Sequence, residues 1–270
     1  MKSAMQPICK DLKNEYDELE SVVAGLDEKS WNLETPFYNW TIRDEISHLA
    51  YYDTAALQSL KSREEFMAGF EALLGSMKPG DDLFDEINAR WRAMATADLL
   101  AAWRTPREEI LARLEKMDAR DRLAWYGPDM SARSFATARI MEVWAHGQDI
   151  FDALGIHRPP TSRLKHIAHM GVATCSWSFI NRQMEPPEAE IRVELAGPAG
   201  ETWTWGPEDA SDAITGDAQG FCLVTTQRRN IADTGLTVSG RTAQQWMAIA
   251  QTFAGPAAEP PAPGERVHSR

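Results

Sequence analysis

Three polar side chains in one short stretch have the residue types and spacing of a metal site. In RIMEVWAHGQDIFDALG (139–155), Glu142, His146 and Asp149 stand at positions i, i+4 and i+7. On an α-helix these positions share one side, so a carboxylate and an imidazole four residues apart can chelate a single ion. The same pattern is typical of a solvated face that carries salt bridges, and the spacing alone leaves both interpretations open.

A third ligand has to come from another helix, and His48 is the best candidate among the six histidines. It lies in EISHLAYYD between apolar side chains. Together with Glu142 and His146 it would complete a set of two histidines and one glutamate with a fourth position open, as in catalytic zinc sites. The alternative is a histidine that is hydrogen-bonded in the core.

The elements that must position these residues are helical over the first two-thirds of the chain. Periodic apolar residues predict helices at 5–26, 42–60, 62–76, 81–94, 96–117, 131–154 and 162–182. Thr41 and Asp44 have the spacing of a capping box, which starts the helix that carries His48 and gives Asp44 a capping role. We therefore predict an α domain at 1–183, an up-down bundle of the four-helix type.

The pattern changes to α+β after this region. Short strands are predicted in EIRVELAG, TWTW, AITG and GLTVSG, with one helix in DAQGFCLVTTQRR and a last helix capped by Thr242 and Gln245. These elements predict a small α+β domain at 187–255. The Pro-rich tail at 256–270 is predicted to be disordered.

Composition and charge limit the partners. The net charge of −12 without a basic stripe argues against nucleic acid and against anionic membrane surfaces. No apolar run is long enough to cross a bilayer, and the early acidic residues do not fit a secretory signal, so we expect a cytoplasmic protein. Cys9, Cys175 and Cys222 form no CxxC pair and predict neither a cysteine zinc site nor a disulfide framework.

Two motifs resemble a known superfamily. WTIRDEISHLAYYD (40–53) and EVWAHGQD (142–149), on the second and a later helix, resemble the DinB-like metal-binding four-helix bundles. More narrowly, they resemble the group of mycothiol-dependent maleylpyruvate isomerases, over roughly 1–180. The resemblance implies a divalent metal, with zinc expected first and nickel as the alternative, held by His48, Glu142 and His146.

The resemblance also implies a chemistry for that metal. A low-molecular-weight thiol would bind as thiolate at the open position and act on a small organic substrate by isomerisation or S-transfer. Metal-bound water that hydrolyses a substrate is the other use of such a site. Asp149 would then orient a ligand imidazole or be a surface acid, and Tyr52 and Tyr126 would be polar lids of the cavity or ordinary core tyrosines.

The second domain resembles a sterol-carrier-like module through ITGDAQGF, LTVSG and QQW. There Arg228 and Arg229 would reach an anionic substrate or stabilise the C-terminal end of a helix. Relatives of this combined architecture sometimes carry the label "wyosine base formation". The chain has no C-x-x-x-C-x-x-C cluster for a radical iron–sulfur centre and no basic patch for tRNA, so its sequence gives that label no support.

Two non-catalytic hypotheses stay open. The first is a bundle that holds metal as a scaffold or store, with a homodimer as one form. The second is a binding protein in which Trp203, Trp205 and Trp246 line a pocket for an apolar ligand, although aromatic residues on such faces are more often core.

Overall fold

A computed structural model describes residues 4–78, 80 and 82–266, which form two compact units. The first unit is Met1–Ile156 and the second is His157–Arg270. The division falls earlier than the predicted boundary at 183. The two helices within the segment predicted at 162–182 pack on each other and on other helices of the second unit.

The first unit is helical, as predicted. Its described elements are α1 (Gln6–Val23), α2 (Glu28–Trp31), α3 (Ile42–Lys61), α4 (Arg63–Ser76), α5 (Leu83–Arg92), α6 (Thr96–Leu114), β1 (Arg122–Leu123), β2 (Met130–Ser131) and α7 (Ala132–Leu154). Helices α1, α3, α6 and α7 pack on one another as a four-helix bundle, and α4 and α5 pack on α3. Helix α5 was predicted to begin at 81, which lies outside the described residues.

The start of α3 is fixed by the predicted capping box. The Asp44 backbone N–H donates to Thr41 Oγ1 at 3.3 Å, and the Thr41 N–H donates to Asp44 Oδ2 at 2.9 Å. Arg92 of α5 donates from Nε to the other Asp44 oxygen at 2.5 Å. The box and this ion pair set the start of the helix fewer than two turns before His48.

A buried ion pair joins the four bundle helices. The Asp53 carboxylate on α3 accepts hydrogen bonds from Tyr16 Oη at 2.7 Å, from Trp103 Nε1 at 3.1 Å and from Arg139 Nη2 at 2.8 Å. Asp53 and Arg139 are 0% and 1% exposed. Because Arg139 lies on α7 one turn before Glu142, this cluster holds α7 against α3 next to the candidate ligands.

The second unit is α+β, as predicted. Its described elements are α8 (Leu164–Ala173), α9 (Cys175–Ile180), β3 (Ile191–Ala196), β4 (Thr202–Trp205), β5 (Asp212–Asp217), α10 (Ala218–Thr225), a 3₁₀ turn (Ile231–Asp233), β6 (Thr237–Ser239) and α11 (Arg241–Ile249). The sheet order is β4-β3-β5-β6, with β3 and β5 parallel and the other pairs antiparallel. Helix α8 packs on α10, and α9 packs on α11.

Two local predictions in this unit were wrong. The helix predicted at 162–182 is two helices, which meet at Thr174. Thr242 and Gln245 form no capping box, because the Ala243 N–H donates to Asp212 Oδ1 at 2.9 Å instead. Gly240 allows this contact, since its φ is +87° and a Cβ there would collide with the Asp212 carboxylate.

The Pro-rich tail was predicted to be disordered, but its described part is held by hydrogen bonds. Gln227 Nε2 donates to the Ala258 carbonyl at 2.9 Å, and Asn230 Nδ2 donates to the Pro261 carbonyl at 2.8 Å. The carbonyls of this Pro-rich segment are not paired in a helix or strand, and side-chain amides donate hydrogen bonds to two of them instead. Residues 267–270 lie outside the described part.

Among the described residues, no helix is both long enough and apolar enough to cross a bilayer.

Candidate metal centre

His48 of α3 and Glu142 and His146 of α7 converge inside the bundle. Glu142 Oε2 lies 3.6 Å from His48 Nε2 and 3.5 Å from His146 Nε2. The three potential ligand atoms lie within 4.8 Å of one another. The polar stripe of α7 thus faces another helix and not solvent, and two imidazole nitrogens and one carboxylate oxygen point at a common centre.

Burial sets the protonation states of these groups. His48 and His146 are each 5% exposed, whereas the side chain of Glu142 is 21% exposed. Burial, and then the charge of His146, lower the pKa of His48 to about 3, so its imidazole is neutral. Burial by itself raises the pKa of Glu142. Hydrogen bonds with His146 and His48 have the larger combined effect and hold this pKa well below its usual value.

A buried glutamate that the sequence analysis missed fixes the orientation of His146. Glu45 Oε2 lies 2.7 Å from His146 Nδ1, and Thr35 Oγ1 donates to Glu45 Oε1 at 2.7 Å. A hydrogen bond from Nδ1 to a carboxylate leaves the Nε2 lone pair free for a metal. The signal for Glu45 was its position three residues before His48, on the same side of α3.

Asp149 is buried beside this glutamate. Its carboxylate oxygen lies within 4.8 Å of the Glu45 and His146 ligand atoms. Burial, and then the charge of Asp149, raise the pKa of Glu45 to about 7. The predicted task of orienting an imidazole therefore falls to Glu45 in this geometry, with Asp149 next to it, and the surface-acid alternative for Asp149 is wrong because the residue is 1% exposed.

Aromatic rings enclose the two histidines. The Trp40 ring lies 5.2 Å from that of His48 and 6.0 Å from that of His146. Phe37 meets His146 edge-on at 5.5 Å, and Phe84 of α5 lies 5.9 Å from His48. This apolar lining lowers the local dielectric, which strengthens every charge interaction at the centre.

Tyr52 and Tyr126 lie on one side of the same centre. The Tyr52 ring is 4.5 Å from the His48 ring, and Tyr126 is 5.6 Å from Tyr52. The hydroxyls of Tyr126 and Tyr51 lie 2.9 Å apart, at hydrogen-bond distance. Both tyrosines named from the sequence therefore belong to the wall around His48.

The donor set fits a borderline divalent metal. Neutral imidazoles and one carboxylate are the ligands of catalytic zinc, and the same set suits nickel. Glu45 holds His146 in the required tautomer, and burial keeps His48 neutral. The partial exposure of Glu142 indicates the side from which a further ligand would enter.

Arg228 and Arg229 lie in the second unit and are both buried. Arg228 Nη1 donates to the Thr226 carbonyl at 2.8 Å, and Arg229 Nη1 donates to the Arg228 carbonyl at 2.7 Å. These carbonyls follow the end of α10, so these contacts fit the helix-end interpretation. The role in binding an anionic substrate stays a prediction.

A cavity of about 240 Å³ lies in the second unit. Trp246 lines it, together with Cys175 and Ile191. Burial raises the pKa of the Cys175 thiol to about 12, so this cysteine is a neutral wall and not a nucleophile. Trp205 donates from Nε1 to His169 Nδ1 at 3.2 Å, and Trp203 is buried in the core.

Comparison with known proteins gives one family. Residues 12–151 match the model of the mycothiol maleylpyruvate isomerase N-terminal domain. Uncharacterised proteins of two strains of Mycobacterium tuberculosis are each 43% identical over 251 residues, 93% of this chain and 96% of theirs.

Solved structures agree on the fold. A crystal structure of the mycothiol-dependent maleylpyruvate isomerase matches with a TM-score of 0.58 at 14% identity, covering 88% of this chain and 96% of that one. A variant of the same enzyme with one histidine changed to alanine matches with a TM-score of 0.56, at the same identity and coverage.

Proposed function

Because the chain belongs to the family of the mycothiol maleylpyruvate isomerase N-terminal domain, we propose that it is a metal-dependent enzyme that uses a low-molecular-weight thiol on a small organic substrate. Isomerisation of a double bond is the first expected reaction, and S-transfer is the second. The observation that carries this proposal is the convergence of His48, Glu142 and His146 on one centre that is partly open beside Glu142.

The metal would supply acidity. Zinc bound by these three residues would lower the pKa of a thiol at the open position, so that the thiol is held as a thiolate at neutral pH. The chain's own contribution is to hold two imidazoles and one carboxylate in place, by burial and by the contact between His146 Nδ1 and Glu45.

A thiolate can catalyse isomerisation of a double bond without being consumed. Its sulfur adds to a carbon–carbon double bond conjugated to a carbonyl, and the electron pair moves to the carbonyl oxygen as an enolate. The former double bond can now rotate. Collapse of the enolate restores the double bond in the other geometry and expels the thiolate. The aromatic rings of Trp40 and Phe37 exclude water, which would otherwise protonate the enolate.

The first experiment is elemental analysis of chelator-free protein. We expect one equivalent of zinc or nickel in the wild type and in H157A, which changes an exposed histidine of the second unit. His48→Ala, Glu142→Ala and His146→Ala should each lose the metal. Full metal in all three variants would refute the site.

The second experiment tests the reaction. Wild-type protein is assayed for cis–trans isomerisation of maleylpyruvate with mycothiol, with N-acetylcysteine and without thiol. Turnover that requires a thiol and disappears in the three variants supports the proposal. Turnover that is independent of thiol would favour metal-bound water, and no turnover with intact metal would favour the scaffold hypothesis.

The cavity beside Trp246 favours a second candidate, small-ligand binding by the second unit. A volume of about 240 Å³ holds only a small apolar molecule, well below a sterol. Native mass spectrometry of the purified protein, compared with Val193→Trp to fill the cavity, tests for such a ligand.

A further inference from the structure

Two tyrosines beside the metal centre differ in what their hydroxyls contact. The Tyr126 hydroxyl is at hydrogen-bond distance from the Tyr51 hydroxyl. The Tyr52 hydroxyl has no hydrogen-bond partner among residues 4–78, 80 and 82–266. Of the two, Tyr52 is the one with a donor still available for a ligand.

Tyr52 is also the tyrosine directed at the candidate ligands. It follows His48 by one turn of α3, and the two rings lie 4.5 Å apart. The charge of Glu142 acts on its hydroxyl: burial first, and then Glu142, raise the pKa of Tyr52 above its usual value. The Tyr52 ring therefore lies against one of the candidate ligands, and its hydroxyl is available to a molecule bound at this centre.

Two further tyrosine rings pack against the Tyr52 ring. Tyr51 meets it edge-on at 5.1 Å, and Tyr126 meets it at 5.6 Å. A ring fixed in this way presents its hydroxyl without a further entropy cost when a substrate binds.

We propose that Tyr52 is a catalytic residue that donates a hydrogen bond to the substrate's carbonyl oxygen as this oxygen becomes an enolate. The inference rests on the proposed thiol-dependent reaction. When the thiolate sulfur bonds to the β-carbon, the electron pair of the double bond moves to the carbonyl oxygen, and the Tyr52 O–H stabilises that charge. The proton stays on Tyr52, and expulsion of the thiolate returns the electron pair to the carbon–carbon bond.

The proposed reaction requires a substrate with a carbonyl conjugated to a double bond. Its carbonyl oxygen would have to reach the Tyr52 hydroxyl while its β-carbon meets the thiolate sulfur. Removal of a single oxyanion donor in other enzymes lowers kcat by about 100- to 1,000-fold. We expect a loss in this range for Tyr52→Phe.

The test compares Tyr52→Phe with the control Tyr38→Phe, which removes the hydroxyl of an exposed tyrosine in the loop before α3. Three quantities are measured: metal content, kcat and KM for maleylpyruvate with mycothiol, and calorimetric binding of 2,4-dioxopentanoate. This last probe carries the enolisable dioxo acid but no distal double bond, so its binding reports on Tyr52 without turnover.

The expected result is full metal in both variants, with a loss of about 100-fold in kcat and about tenfold weaker binding of 2,4-dioxopentanoate in Tyr52→Phe only. Wild-type kcat and binding in Tyr52→Phe would overturn the inference and leave the proposed function standing. Loss of metal in Tyr52→Phe would also overturn it, because the tyrosine would then support the ligands. If wild-type protein shows no thiol-dependent turnover, the proposed function fails and the catalytic role of Tyr52 fails with it; weaker binding in Tyr52→Phe would then show only a hydrogen bond from Tyr52 to the dioxo acid.

Discussion

Replacement of Asp53 by alanine should unfold the bundle, and a second replacement should partly rescue it. Asp53→Ala leaves the Arg139 guanidinium buried without its counter-charge, which costs about 3–5 kcal/mol. It also strands the Tyr16 hydroxyl and the Trp103 N–H, at about 1–3 kcal/mol each. The total of about 5–11 kcal/mol is comparable to the whole stability of a typical domain.

The double variant Asp53→Leu with Arg139→Met removes both charges at similar volume. It leaves only the two neutral donors without partners, so its free energy of unfolding should exceed that of Asp53→Ala by about 3 kcal/mol or more. Arg139→Met alone leaves a buried carboxylate with two neutral donors, and we expect a loss of about 3–5 kcal/mol.

The assay is urea denaturation of metal-free protein, followed by circular dichroism at a wavelength that reports helix. Metal-free conditions are needed because the ion would add its own binding energy to the same two helices. The cycle is closed by Asp53→Leu alone, and strictly additive effects of Asp53→Leu and Arg139→Met in the double variant would refute the reasoning. A double variant no more stable than Asp53→Ala would do so as well, because the cost would then lie in packing and not in the uncompensated charge.

Two further predictions concern single carboxylates. Glu45→Gln should lower metal affinity by about 10- to 100-fold, because the amide is a weaker partner for His146 Nδ1 than the carboxylate is. Competition with a chromophoric chelator measures this affinity. Unchanged affinity would mean that Glu45 does not orient the His146 ring. In the second unit, the hydrogen bond from the Ala243 N–H lowers the pKa of Asp212 below its usual value. Its contribution to stability is therefore present above the unfolded pKa of about 3.9 and is lost as the pH falls through the lower folded value. The melting temperature of Asp212→Ala should thus lie below that of the wild type at pH 7, with the gap closing in acid, and a gap that is independent of pH would contradict the assignment.

The candidate ligands could be named from the sequence because much of their pattern is local. Glu142 and His146 share one helix face, and the helix that carries His48 begins at a capping box that the structure retains. Periodicity and capping depend on residues within one or two helical turns, so both can be recognised in a single sequence.

The partners of those ligands could not be predicted, because they depend on contacts between distant segments. Glu45 stands in the first turn of α3, where an acid is already explained by the helix dipole, and nothing local shows that it faces His146. Asp53 and Arg139 are ordinary surface residue types, and only the packed bundle makes them a buried pair.

The same reason explains the errors in the second unit. Thr242 and Gln245 have capping-box spacing, but the acceptor at the start of this helix is the Asp212 carboxylate of β5, which accepts from the Ala243 N–H. The tail looks disordered by composition, yet Gln227 and Asn230 hold its carbonyls. Each error is a tertiary contact that overrides a local preference.

The separation of the site's parts along the chain has a consequence for folding kinetics. Glu45 and His146 are 101 residues apart, and Asp53 and Arg139 are 86 apart. Contacts between residues so far apart in the sequence require a long loop to close. The conformational entropy of that loop is lost before the contact forms. A nascent chain that stops before α7 carries His48 but neither Glu142 nor His146, so a metal ion held by these three residues could not nucleate the bundle. Metal uptake during refolding would therefore trail helix formation, and its rate would report the final docking of α7 on α3.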